Sequence, residues 1–172
     1  MLRRRVTKLL VSASCAVVVL AQGDVRGEIQ AIYDRAGAAT VSARTLADLD
    51  AIHAWLDLPD CGYTDFGQPT RTWAEQRRYA DEDLRTPMLS MSNHIQKIQI
   101  DGRTATTTTL VKGTASIMDF DGRFGSKKGV VHLVETTATV RDVWIKASDG
   151  WRRKSHTNVV GNRITAIDGK TQ

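Results

Sequence analysis

The side chains able to do chemistry are spread along this 172-residue chain and form no motif. The four histidines, His53, His94, His132 and His156, include no pair at the spacing of metal ligands, so no metal site is expected. Serine-nucleophile and phosphate-loop signatures are absent as well, and no cofactor is expected. Cys61 reads as a small, half-buried apolar residue. Asp119 and Asp121 in DFDGRFGSKKG hint at a calcium loop, but the downstream glutamate is missing and the stretch reads as a hairpin connection. No motif fixes a reaction by itself. What remains is a set of residues suited to lining a pocket: His132, Trp144, Trp151 and His156. Several aromatic walls suit a flat, apolar small molecule.

The elements that must position these residues follow from periodicity. Arg141 to His156, RDVWIKASDGWRRKSH, reads as two strands joined at Asp149-Gly150, with a tryptophan in each arm. From Asp24, the apolar positions Val25, Ile29, Ile32, Tyr33 and Ala36 follow helical spacing and put Tyr33 on the buried face of a first helix. The pattern loosens at Gly-Ala-Ala-Thr. Thr45, with Asp48 three residues on, opens a second helix whose apolar stripe is Leu46, Leu49, His53 and Leu56, with Pro59 as its stop. His53, on or beside that stripe, is by default a packed, hydrogen-bonded histidine, with a catalytic or ligand role as the alternative.

A very short extended piece, Tyr63 to Phe66, precedes a third helix. Thr72 and Glu75 form its capping box, and Trp73, Arg77, Ala80 and Leu84 carry it towards Pro87. After Pro87 the period becomes two. Strands are expected at Ser90 to Ile100, Thr104 to Ile117, Val130 to Ala147 and Trp151 to Val160, with a short extended tail at Ile164 to Ile167. Helices first and antiparallel strands after them define an α+β domain, with three N-terminal helices covering one face of a curved sheet. In the Val130 strand, His132, Val134, Val140, Asp142 and Trp144 share one face, while Val131, Leu133, Val143 and Ile145 share the other.

The first residues, MLRRRVTKLLVSASCAVVVLAQGD, have the layout of a secretory signal peptide: a basic patch, an apolar run from Leu9 to Leu20, then small residues. Residues 1–21 are expected to be removed, leaving 22–172 as a single domain in a secreted or periplasmic setting. A cut before Asp24 is the other option. The apolar run is shorter than the ~20 residues a spanning helix needs, so no membrane span is expected after removal. Because that segment holds four basic residues and no acidic ones, the formal charge falls from +5 to +1. The basic balance belongs to the leader and gives no support for a nucleic-acid surface.

In this order the pieces IQAIYDRA, DLDAIHAWL, YTDFGQP and RDVWIKASDGWRRKSHTNVV, followed by Ile167-Asp168-Gly169-Lys170, resemble a nuclear transport factor 2-like, or SnoaL-like, domain. The resemblance covers nearly the whole chain beyond residue 21. It implies a cone of three helices against a strongly curved, mainly antiparallel sheet, with a pocket at the open end that His53 and Phe66 would also line. Within that superfamily, three positions resemble the active-site pattern of ketosteroid isomerase. Tyr33 falls at the oxyanion-binding tyrosine, Asp65 at the general-base aspartate, and Asp142 near a second, protonated aspartate. That likeness implies proton removal beside a carbonyl by Asp65, with Tyr33 and a neutral Asp142 donating to the enolate. Two departures stand beside it: a longer connection after Tyr33, and Phe66 in place of a proline. Each residue also has a plain structural role, with Tyr33 as core aromatic, Asp65 as turn residue and Asp142 paired with an arginine such as Arg153.

Two functions are compatible with these residues. One is an exported small-molecule domain with a hydrophobic pocket, doing cofactor-free acid-base chemistry of the isomerase, dehydratase or hydrolase kind. The other is a non-catalytic module of the cell envelope, a homodimer through the sheet face, with its pocket plugged by Trp144, Trp151 and Phe66.

Overall fold

The computed structural model describes residues 7–80, 84, 86–124 and 127–172, with side chains from Asp24 onward. In chain order the elements are α1 (Thr7–Ser42), α2 (Leu46–Leu56), β1 (Asp57–Thr64), α3 (Trp73–Gln76), β2 (Met88–Asp101), β3 (Thr104–Asp119), β4 (Val130–Ala147), β5 (Gly150–Asn158), β6 (Arg163–Ile167) and β7 (Lys170–Thr171). The fold is α+β, with helices against one face of a mixed, curved, unclosed sheet. No helix among the described residues is long and apolar enough to cross a membrane.

The first helix does not begin at Asp24, nor does it end at the Gly-Ala-Ala-Thr stretch. It runs unbroken from Thr7 to Ser42. Ile29 and Tyr33 are buried, Ala36 and Ala39 extend the same stripe, and Ile95 of β2 receives it. Gly37 permits the close approach: a Cβ there would lie 3.2 Å from Asn93 Nδ2 and 3.4 Å from the Met91 carbonyl oxygen. The second helix starts where expected, with Asp48 N–H donating to Thr45 Oγ1 and Asp48 Oδ2 accepting from Thr45 N–H.

Pro59 does not stop α2. The helix ends at Leu56, and the chain passes directly into β1, which contains Pro59 and replaces the short Tyr63 to Phe66 strand. A proline is tolerated because β1 is an edge strand with irregular register between Asp57 and Gly62. The third helix is also shorter than its pattern. Glu75 accepts from Thr72 N–H as the capping box requires, but α3 is a single helical turn followed by a non-helical turn at Arg77 to Tyr79, beyond which Ala80 and Leu84 are helical again. The rest of that expectation falls on 81–83 and 85, outside the described residues.

The strands run in the order β1-β5-β4-β3-β2, with β1 parallel to β5 and the other neighbours antiparallel. The eighteen-residue β4 matches its expected limits and serves two partners. Its C-terminal half pairs β5 and its N-terminal half pairs β6, with β7 on the far side of β6. Register shifts in β2, β5 and β6 bend the sheet towards the helices. One shift decides the site: Val143 pairs Ser155, but Trp144 pairs Arg153, so Lys154 has no partner on β4. This bulge puts Arg153 and His156 on the same inner face, although they are three residues apart.

Candidate functional site

A row of side chains crosses the inner face of the sheet in register. Tyr63 of β1 stands beside His156 of β5, His156 beside Asp142 of β4, and Asp142 beside Thr107 of β3. In the next row Asp57 neighbours Arg153, and Arg153 neighbours Trp144. Above the rows lies a cavity of about 500 Å³. Leu49, Ile52 and Leu56 from α2 form one side, and Met91, Val111 and Val140 from the sheet another. Tyr33, His53, Tyr63, Trp73, Arg153 and His156 supply most of its polar and aromatic wall.

On the sheet side, His156 Nδ1 lies 2.7 Å from Asp142 Oδ1. Tyr33 donates its phenolic proton to Asp142 Oδ2 and lies 2.8 Å from Thr107 Oγ1, and Thr109 donates to Tyr33 Oη at 3.2 Å. Trp144 packs edge-on against Tyr33 and donates its Nε1–H to Thr107 Oγ1. Asp142 is fully buried. Burial alone would push its carboxyl up, but His156, Arg153 and the Tyr33 hydroxyl together hold it below the usual carboxylate range. Asp142 is therefore ionised, the reverse of the neutral hydrogen-bond donor that the isomerase pattern implied. The Tyr33 phenol is pushed up by burial and by that carboxylate, so it keeps its proton.

On the helix side, Asp57 follows the last turn of α2, four residues after His53, and His53 Nδ1 lies 2.6 Å from Asp57 Oδ2. Tyr63 donates to the same oxygen, and its Oη is 2.7 Å from His53 Nδ1. Arg153 donates from Nε to Asp57 Oδ1 at 2.7 Å, and its Nη1 is 3.3 Å from His156 Nδ1. Burial opposes the Asp57 charge, but His53, Arg153 and Tyr63 outweigh it and the carboxyl stays well below its ordinary range. Trp73 stacks on His53 with ring centroids 3.6 Å apart, and its Nε1 donates to Asp50, which also takes two hydrogen bonds from Arg77 Nε and one from Nη2.

Each imidazole thus has Nδ1 against an ionised carboxylate, which makes Nδ1 the N–H donor and leaves Nε2 as the acceptor nitrogen. Neither Nε2 has a hydrogen-bond partner among the described residues. Two such rings on one cavity can take up and return protons, and Arg153 balances the carboxylates that orient them.

No protein-family model matches the chain, and no curated protein matches it significantly. Solved structures do. A nuclear transport factor 2-like superfamily protein from Salmonella enterica superposes with TM-score 0.56 at 18% identity, covering 84% of this chain and 94% of that one. The chain has the nuclear transport factor 2-like fold. A ketosteroid isomerase-like protein from Erwinia carotovora atroseptica gives TM-score 0.51 at 18% identity, over 81% and 98% of the two chains. A protein named provisionally as a scytalone dehydratase, from Novosphingobium aromaticivorans, gives 0.52 at 15% identity, over 84% and 87%.

Within this nuclear transport factor 2-like cone, the expected residues separate into three groups. Tyr33, Asp142, His53 and His156 come together as described. Asp65 does not join them: it is exposed on the turn after β1, at the cavity rim, where its backbone carbonyl accepts from Gln68 N–H. With the Tyr33 proton committed to Asp142, the isomerase trio has no common point of convergence.

Phe66, Trp144, Trp151 and His132 do not line the cavity. Phe66 is 68% exposed, because the turn at Gly67 carries it away from the mouth. Trp144 and Trp151 are buried in the core beneath α1 and plug nothing. His132 lies at the other end of β4, with Nδ1 2.7 Å from Asp168 Oδ2, in a separate 350 Å³ depression beside the β6–β7 turn. Asp142 pairs with His156, and Arg153 pairs with Asp57, which the sequence reading did not single out. The available signal was His53 and Asp57 at i, i+4 across a helix end.

Proposed function

We propose that this chain binds an apolar small molecule in the inner cavity and performs cofactor-free acid-base chemistry on it, of the isomerase, dehydratase or hydrolase kind. His156 and His53 are the proton carriers, Asp142 and Asp57 orient them, and Arg153 offsets the two carboxylates. The observation that carries this reading is the pair of imidazoles on one apolar cavity, each tied through Nδ1 to a buried aspartate. A positioned side chain of this type contributes about 10²–10⁴-fold to proton transfer. The isomerase-like and dehydratase-named neighbours agree in kind. Export to the periplasm or medium belongs to the same proposal, on the basic and apolar layout of residues 1–21.

The test is solvent deuterium exchange into a panel of neutral, enolisable ketones and hydroxy ketones, followed by NMR, for the unaltered chain, His156→Ala and His53→Ala. Exchange that falls about 10²-fold or more in either variant supports the reading. Exchange that both variants leave unchanged refutes it. Saturable binding without exchange keeps the pocket and removes the chemistry. Export is checked by N-terminal sequencing of the mature protein, and an intact Met1 in the cytoplasm rejects it.

A further inference from the structure

The tip of the β3–β4 hairpin carries an apolar patch that the other described residues leave exposed. Met118 pairs Val131 and Ser116 pairs Leu133 in the antiparallel register, so these side chains stand on one face, and it is the face turned away from the helices. Phe120, two residues past Met118 and just beyond the end of β3, adds a further exposed apolar side chain at the tip. Phe120 is 69% exposed, Val131 53%, Leu133 50% and Met118 44%. Side chains of this size, contiguous and open to water, mark a contact surface.

The loop that closes the hairpin tells what it contacts. Asp119 is buried, its carboxylate accepting from the backbone N–H groups of Gly122, Arg123 and Phe124 at 2.8–3.0 Å. The backbone of residues 122–124 thereby folds around Asp119. Arg123, Lys127 and Lys128 are exposed, as is Asp121. Apolar side chains at a protruding tip, rimmed by cations, fit an anionic lipid surface: the apolar groups enter the headgroup boundary and the cations meet the phosphates. A second copy fits less well. A two-fold contact sets the same patch against itself and would bring the cationic rims of both copies together.

We propose that this hairpin tip is a peripheral membrane contact that seats on anionic bilayers. It is independent of the acid-base reading of the cavity, which lies on the opposite face of the sheet.

The test is co-sedimentation of the full chain with vesicles of phosphatidylcholine, with and without phosphatidylglycerol. Phe120→Ser/Val131→Ser and Lys127→Ser/Lys128→Ser are compared with the unaltered chain, because residues 1–21 give a background common to all three. The patch pair should weaken binding to the anionic vesicles more than tenfold. The charge pair should weaken it by about fivefold per lysine, an effect that vanishes at high salt. Phe120→Trp gives a second readout: its emission should shift to the blue and be quenched by brominated lipid, measured against the unaltered chain. Binding that neither pair reduces, equal binding to neutral vesicles, or a dimer in sedimentation that Phe120→Ser/Val131→Ser dissolves would each overturn the proposal.

Discussion

Replacing Arg153 by methionine removes the guanidinium from the site where two buried carboxylates face it, and keeps a long, unbranched stem. The Asp57 side chain is 4% exposed and that of Asp142 is 0%. Two unit charges 4 Å apart attract by about 4 kcal/mol at an effective dielectric near 20, and stranding one partner of a buried pair costs about 3–5 kcal/mol. Because Arg153 bonds Asp57 directly and its charge also favours the ionised form of Asp142, the upper part of that range applies. The loss is a large fraction of the roughly 5–15 kcal/mol that holds a domain together.

The pH dependence separates this account from simple loss of packing. In the unaltered chain both carboxyls are held below their ordinary values. Their ionised forms therefore stabilise the fold above the unfolded carboxylate pKa of about 4, and the stability is lost as pH falls through the folded values. Without Arg153 those folded values rise. The gap between the two proteins is then widest near neutrality and narrows as the variant's carboxylates take up protons. Urea unfolding followed by circular dichroism, near pH 7 and again near pH 4, measures both gaps. Asp57→Asn provides the control: in that background Arg153→Met should cost about 1–3 kcal/mol less than in the unaltered chain, since neighbours in one network couple by that much. A neutral-pH loss under about 1 kcal/mol, or a gap that is the same at both pH values, would refute the charge-balance account.

Three further outcomes follow from the same network. Tyr33→Phe should destabilise the fold by about 1–3 kcal/mol, as Asp142 loses a buried donor, while ligand affinity stays unchanged in a titration; a large loss of affinity would restore an oxyanion role for the phenol. Burial and then the Asp57 charge push the Cys61 thiol up to about 12, so an aromatic disulfide reagent at mildly alkaline pH should leave Cys61 unlabelled in the folded chain and label it on unfolding, and rapid native labelling would contradict its burial. Asp50→Ala removes the acceptor oxygens that Trp73 Nε1 and Arg77 bond. Melting temperature should barely move, but ligand exchange at the cavity should quicken in stopped-flow fluorescence, and identical rates would mean that α3 is no barrier.

The fold was largely legible because its signals are local. Capping pairs at Thr45 and Thr72 and the long period-two runs each act within a few residues, and the structure follows them. The failures arose where tertiary contact overrides local preference. Gly37 reads as a helix weakness, yet it lets α1 lie close to β2. Pro59 reads as a stop, yet an edge strand with irregular register accommodates it. Two residues of β7 carry too little pattern to be seen, although Asp168 and Gly169, both at positive φ, form the kind of turn that closes a hairpin.

The site was legible only in part, and the reason is one unpaired residue. Strict alternation along β5 separates Arg153 from His156, so a reading by period assigns one to the pocket and the other to water. The bulge at Lys154 cancels that parity and turns both inward. Arg153 then meets Asp57, and His156 takes the carboxylate of Asp142 that an arginine was expected to hold. A resemblance built on Tyr33, Asp65 and Asp142 finds two of these residues and misjudges their chemistry, because charge state is set by neighbours that the period hides. Asp142 is ionised because His156 and Arg153 face it, and Tyr33 is spent on Asp142 because that carboxylate is ionised. In the proposed chemistry the proton-carrying role passes to the imidazoles, whose second nitrogens have no hydrogen-bond partner among the described residues.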